Sequence, residues 1–251
     1  MINSKLVAVT TVRQGDPKNI VEKVRAEIFL DTVTQLRLFN IPCVALYTEC
    51  SAVFLRDFAD WGVTLIRQTS QGMGNIRREV QRAALSLYSE ASYYLWLEPE
   101  KCNIPRFAHA LCQQMVEKQA LLGLFNRVGM QTYPPEQAYY YLFCRAVASR
   151  LVGFDFDYGF GPMILTKESM SYFLSYDGRY GDLWDSILIP RLKVIKDGLP
   201  IEIYPCNFIN DPRMKAVETG NNPIILKRVQ QLMNVVPSLI KEWERLSQNQ
   251  L

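Results

Sequence analysis

Two periods alternate along the chain. Leu6 to Val12 is a short β-rich apolar run, and Asn19 to Phe39 then carries apolar residues at helical spacing behind the helix-start signal Asp16-Pro17. The alternation continues with a strand over Cys43 to Thr48, a helix over Ser51 to Trp61 ended by Gly62, and a strand over Val63 to Ile66. Past Gly72 and Gly74, residues 75–89 predict a helix, and Tyr93-Tyr-Leu-Trp-Leu reads as a strand filled on both faces, as at the centre of a parallel sheet. This order predicts an α/β fold whose sheet is mostly parallel, with right-handed crossovers and helices on both faces. Pro105 opens the next helix, whose apolar face is Ile104, Phe107, Ala108, Leu111, Cys112, Met115 and Val116.

The second half is less regular. A strand is expected over Leu121 to Phe125, a helix from Glu136 to about Leu151, and a strand over Gly161 to Leu165. A helix over Ile187 to Ile195 despite Pro190, a strand over Ile201 to Tyr204 and a polar loop from Cys206 to Pro212 follow. From Pro223 to Leu246, Leu226, Val229, Met233, Val236, Ile240 and Trp243 recur at spacings of three and four, the pattern of a helix packed along one seam. Pro237 predicts a kink there or two consecutive helices. The seam is expected to dock on the chain's own sheet or to pair with a second copy in a homodimer through 223–246. The organisation is therefore a domain over 1–222 and a C-terminal helical segment over 223–251.

Composition narrows the picture. With 251 residues, 49% of them hydrophobic, and neither linker nor repeat, one sizeable α/β domain is the simplest reading. Six cysteines without C-x-x-C spacing suggest neither a zinc site nor a disulfide framework. A net charge of +3 without a basic, aromatic-interleaved stripe argues against a nucleic-acid partner. No segment approaches ~18 uninterrupted apolar residues, and Met1 to Val12 lacks the length of a secretory signal, so no transmembrane segment and a soluble, cytoplasmic protein are expected.

The candidate chemistry begins where the strand at Tyr93 ends, in Glu98-Pro-Glu100-Lys101. Ligands of parallel sheets bind just beyond the carboxyl ends of the strands, where two carboxylates one residue apart can converge on a hard cation or on donors of a polar ligand. A second acidic and aromatic cluster, Gly181-Asp182-Leu-Trp184-Asp185, opens a late helix.

A first strand followed by Thr10-Thr11-Val12-Arg13, a helix opened by Gly72-Met-Gly74-Asn75-x-Arg77-Arg78, a central strand ending in acid-x-acid and a late helix opened by an acidic cluster together resemble a GT-A glycosyltransferase. The likeness is greatest to the inverting family 2 type and covers about residues 5 to 212. It implies a Rossmann-like GT-A sheet and transfer of a sugar from a nucleotide-sugar donor to a small or lipid-linked acceptor, with inversion. It also implies that Thr10, Thr11, Arg13, Gly72, Gly74, Asn75, Arg78 and Lys101 face the nucleotide and that Glu98 and Glu100 hold a divalent cation, Mn or Mg, on the diphosphate. Asp185 or Asp182 would deprotonate the acceptor hydroxyl. A nucleoside diphosphate leaving group needs positive charge, which Arg13, Arg77, Arg78 and Lys101 could supply.

Two departures stand out. Glu-Pro-Glu replaces the family's usual Asp-x-Asp, and the only histidine, His109, falls outside the apolar face of its helix and is expected at the surface. Asn207, Asn210 or Asp211 could serve as further oxygen ligands. The alternatives are a catalytically impaired GT-A binding or scaffold protein and a nucleotidyltransferase. A Rossmann oxidoreductase is disfavoured because the Gly pair follows the third strand rather than the first.

Overall fold

The computed structural model describes residues 5–13, 16 and 18–248. The first half is built from β1 (Leu6–Val12), α1 (Ile20–Leu38), β2 (Cys43–Tyr47), α2 (Ala52–Asp60), β3 (Thr64–Arg67), α3 (Met73–Leu87), β4 (Tyr93–Trp96) and α4 (Pro105–Glu117). The second half adds β5 (Leu122–Arg127), α5 (Pro135–Val152), β6 (Met163–Leu165), α6 (Lys167–Leu174), α7 (Asp185–Lys196), β7 (Ile201–Cys206), α8 (Pro212–Glu218) and α9 (Asn222–Gln248). All seven strands join one sheet in the order β3-β2-β1-β4-β6-β5-β7. Every pairing is parallel except those of β6, which runs antiparallel to both β4 and β5. This is the mostly parallel α/β sheet that the pattern predicts.

Burial explains the central strands. Tyr94, Leu95 and Trp96 of β4 and Val7, Ala8 and Val9 of β1 are all buried, so successive residues on opposite faces both meet a helix layer. One layer brings α1 against α2, α4 and α8, and another brings α3 against α6 and α7. Because β6 runs backwards, its first residues and the segment before it meet the carboxyl end of β4, with Trp96 opposite Met163.

Two helices were not expected. The start of α6 is a capping box in which Thr166 and Ser169 exchange side-chain and backbone hydrogen bonds. The start of α8 is Asp211, whose carboxylate accepts the backbone N–H of Arg213, with Pro212 in the first turn. Asn-Asp-Pro, expected as a turn, is thus a helix start.

The C-terminal segment departs further. Residues 222–248 form one helix rather than two, and Pro237 is exposed, so the carbonyl it leaves unpaired can turn to water. This helix packs on α5 and α7 through Val235 and Leu239, flanked by buried Gln231, Ser238 and Glu242. Val236 and Trp243 of the expected seam are half-buried, but Leu226, Val229, Met233 and Ile240 are exposed. The helix therefore docks on its own chain through a face rotated from that seam. No helix among the described residues is long and apolar enough to cross a membrane.

Candidate functional site

The carboxyl end of β4 opens into a cavity of about 200 Å³. Its lining gathers Glu98, Glu100 and Lys101 after β4, Arg25 of α1, Met73 and Arg77 of α3, and Gln137, Tyr140 and Tyr141 of α5. Gly159, Gly161, the Trp184 and Leu188 side of α7, and Lys227, Arg228 and Gln231 of α9 complete it. A larger depression of about 1090 Å³ lies at the opposite ends of β1 and β4, beside Lys5, Pro42, Ala91 and His109. It holds one Lys, one Glu and His109, and no second carboxylate, so the smaller cavity is the one with chemistry. His109 is exposed, as expected, with Nε2 2.7 Å from the Phe39 carbonyl oxygen.

Glu98 is seated against glycine. A Cβ at Gly161 would stand 1.6 Å from Glu98 Oε1, so only glycine lets the carboxylate lie across the segment before β6. That segment is held from below by Arg191 of α7, a buried guanidinium that donates to the carbonyl oxygens of Tyr158 (3.2 Å), Phe160 (2.6 Å) and Gly161. Burial lowers Arg191 to about 10, with Tyr158 and Glu98 opposing the shift, so it stays cationic at neutral pH. The other oxygen of Glu98, Oε2, is buried without a hydrogen-bond partner. Burial pushes the Glu100 carboxyl up, but Lys101, Arg25 and Lys227 outweigh it and hold the group below its ordinary value. Lys101 is buried between the rings of Tyr133 and Phe208, 5.7 Å and 5.4 Å from their centroids.

The cavity is basic. Arg25, Arg77, Lys101, Lys227 and Arg228 face two carboxylates. Arg77 donates to the Leu183 carbonyl (2.6 Å) and the Ser186 hydroxyl (2.7 Å), and burial lowers it to about 10 despite Glu98, Asp185 and Asp182. Burial also lowers Lys227 to about 8, reinforced by Arg25 and Arg228, while Glu100 and Glu218 oppose.

The residues expected to face a nucleotide divide into two groups. Glu98, Glu100 and Lys101 line the cavity; Thr10, Thr11, Arg13, Gly72, Gly74, Asn75 and Arg78 do not. Thr10 is buried inside β1 and Thr11 is half-buried beside it. Arg13, exposed past β1, pairs with Glu49 at 2.5 Å. Gly72, with φ 88°, precedes the first turn of α3. Gly74, Asn75 and Arg78 are joined to Asp182 and to each other. Arg78 donates to both oxygens of Asp182 (2.8 and 2.6 Å) and to Asn75 Oδ1 (2.6 Å), and the Gly74 N–H donates to the Asp182 carbonyl at 2.9 Å. A Cβ at Gly74 would lie 1.9 Å from Asp182 Oδ1.

The two expected bases both have hydrogen-bond partners outside the cavity lining. Asp182 is the acid partner of Arg78, in a left-handed backbone conformation with φ 56°. Asp185 is fully buried and accepts from the Tyr176 hydroxyl (2.6 Å) and from the N–H groups of Asp182 (3.2 Å) and Leu183 (2.7 Å). Burial and the Asp185 carboxylate push the Tyr176 phenol up, which keeps it a donor. Neither acid is among the residues that line the cavity. Asn210 and Asp211 are also away from it, Asp211 being held by Arg213 at the head of α8.

Arg25, Gln137, Tyr140, Tyr141, Lys227, Arg228 and Gln231 are the charged and polar lining residues that the sequence did not suggest. Only the i, i+4 relation of Lys227 to Gln231 marks a shared helix face, and nothing local says what that face meets.

The chain matches no protein-family profile and no curated protein. Solved structures do match. Glucosyl-3-phosphoglycerate synthase from Mycobacterium tuberculosis, in complex with Mn2+, uridine diphosphate and glucosyl-3-phosphoglycerate, superposes with TM-score 0.63 at 11% identity over 96% of this chain and 81% of that one. A protein described as a nucleotide-diphospho-sugar transferase, from Desulfovibrio desulfuricans G20, gives 0.51 at 11% identity over 98% of both chains. A cytidylyltransferase from Leptospira borgpetersenii serovar Hardjo-bovis gives 0.51 at 12% identity over 95% and 97%. The chain has the GT-A-like fold of nucleotide-sugar transferases.

Proposed function

We propose that the protein transfers a sugar from a nucleotide-diphospho-sugar to a hydroxyl acceptor at the cavity beyond β4. One observation carries this reading: on a nucleotide-sugar transferase fold, the acid-x-acid pair and five cations meet in one small cavity at the carboxyl end of the central strand. In such a transfer the acceptor oxygen bonds to the anomeric carbon while the bond from that carbon to the diphosphate oxygen breaks. The hydroxyl proton is released, and the nucleoside diphosphate leaves with the bonding electron pair. Charge builds on the leaving diphosphate, so fixed cations such as Arg77 and Lys101 stabilise the transition state. Trp184 offers an apolar face to the sugar ring.

The expected cation fits the residues present. Among the described residues no three His, Cys, Asp or Glu gather. A hard divalent ion, however, is commonly held by one or two carboxylates with substrate phosphates and water, and Glu98 Oε2 is a buried acceptor without a partner. Glu98 and Glu100 would hold Mn or Mg, which supplies positive charge to the diphosphate. The transfer is taken as the inverting one that the resemblance implies, although Asp185 and Asp182 both hold other partners in this conformation.

The likeness to cytidylyltransferases favours one rival, nucleotidyl transfer, and the two reactions differ in what they release. Incubation with nucleotide sugars and Mn2+ is expected to liberate a nucleoside diphosphate; release of pyrophosphate from a nucleoside triphosphate would move the assignment to the rival. Glu98→Gln with Glu100→Gln is expected to abolish the Mn2+-dependent part of nucleoside diphosphate binding, seen as loss of the metal-dependent rise in Tm. A catalytically impaired scaffold would bind without releasing either product.

A further inference from the structure

One wall of the cavity is more basic than a leaving diphosphate alone accounts for. Arg25 of α1 and Lys227 and Arg228 of α9 converge there, on the side of Glu100. Behind them stands the buried carboxylate of Glu218, 3.5 Å from Arg25 and 3.9 Å from Arg228. It orients two guanidinium groups, and even with Glu100 beside Arg25 and Lys227 two carboxylates face three cations; Lys227 makes no salt bridge among the described residues. A wall that served only to tie α9 to α1 and α8 would pair its cations. Here the Nε atoms of Arg25 and Arg228 are buried donors without acceptors, while Gln137 Oε1 and Glu98 Oε2 are buried acceptors without donors. With Glu98 Oε2 left to the cation, the lining lacks an anion at the Arg25 and Arg228 donors and a hydroxyl group at the Gln137 acceptor.

We infer that this wall binds the anionic group, phosphate or carboxylate, of a small hydroxyl-bearing acceptor. The acceptor is then a small acidic polyol, its charge met by the three cations and a hydroxyl group by Gln137. The inference rests on the transfer reading above for the word acceptor, but the anion site itself does not.

Inorganic phosphate and uridine diphosphate are the probes, titrated by calorimetry into the full chain and into Lys227→Met and Lys227→Arg. Phosphate is expected to bind the wild type saturably, to bind Lys227→Met about tenfold more weakly, and to recover in Lys227→Arg. Uridine diphosphate affinity is expected to stay within about threefold, since the transfer reading puts its phosphates at the Glu98 and Arg77 side. Phosphate binding that ignores Lys227→Met, or no phosphate binding at all, overturns the proposal. Equal loss of both ligands also overturns it, by giving the wall to the donor. Phosphate binding that depends on Lys227 in a protein blind to nucleotides would keep the anion site and remove the transfer reading. Should Lys227→Met not fold, acylation of the Lys227 amine in the wild type decides: phosphate is expected to slow it, and an unchanged rate overturns the proposal.

Discussion

Asp185 shows how much one buried carboxylate can differ from its sequence reading. Its oxygens take hydrogen bonds from a phenol and two backbone N–H groups, so removing the charge strikes the turn before α7. Asp185→Asn is expected to destabilise the fold by about 1–3 kcal/mol, because hydrogen bonds to a charged acceptor are lost inside the protein. At about 2–4 °C per kcal/mol for a chain of this size, the fall in Tm is measurable. Unchanged Tm with lost turnover would restore the base role. Glu79 makes a second test. Burial pushes its carboxyl up, but hydrogen bonds from the hydroxyls and N–H groups of Ser70 and Thr69 prevail and hold it at about 2. A depressed folded-state pKa stabilises above the unfolded value of about 4.3 and loses that contribution as pH falls toward the folded one. The stability advantage of wild type over Glu79→Gln is therefore expected to be full at pH 6 and to shrink between about pH 4.3 and 2, followed by urea unfolding. At this scale Glu98, Glu100 and Lys101 were legible, because a filled strand ending in charge has one place to point them. Gly74, Asn75, Arg78 and Asp182 were not, because spacing does not reveal that four positions on two distant segments are partners of one another.

Elements in the first half were readable because each carries its own period and its own stop. Those misread rely on signals that a period does not include. The capping box of α6 and the Asp-Pro start of α8 are local chemistry within short helices. The face that α9 buries is half polar, with Gln231, Ser238 and Glu242 beside Val235 and Leu239, so the more apolar seam was the wrong guide. Glu242 accepts from Tyr180 at 3.0 Å and from Arg245 at 2.8 and 2.7 Å, which explains how a carboxylate tolerates that position. Because α9 buries Val235 and Leu239 against α5 and α7 and supplies three residues to the cavity, ending the chain at Asn222 is expected to give an aggregating or non-cooperatively unfolding protein. Light scattering and thermal melts check this; a soluble, well-folded monomer obtained by truncating a chain that is dimeric at full length would show that α9 serves mainly to pair with a second copy.

For the molecule as a whole, the parallel core from β1 to β4 followed from alternation, whereas the reversal at β6 did not, since strand direction leaves no mark in a three-residue apolar run. That reversal has a kinetic corollary. Tyr94 meets Leu165, Leu122 meets Ile201 and Leu6 meets Tyr93, so the pairings of β4 and β7 close much longer chain loops than β1 with β2 or β2 with β3. Loop closure is opposed by entropy until distant contacts reward it, so the junction of β4 and β6 is expected to assemble late, after the folding barrier. A ligand seated there stabilises something that the transition state has not yet formed. Stopped-flow denaturant jumps should then find that uridine diphosphate with Mn2+ slows unfolding and leaves the refolding rate alone. Ligand-accelerated refolding would place that junction in the nucleus instead.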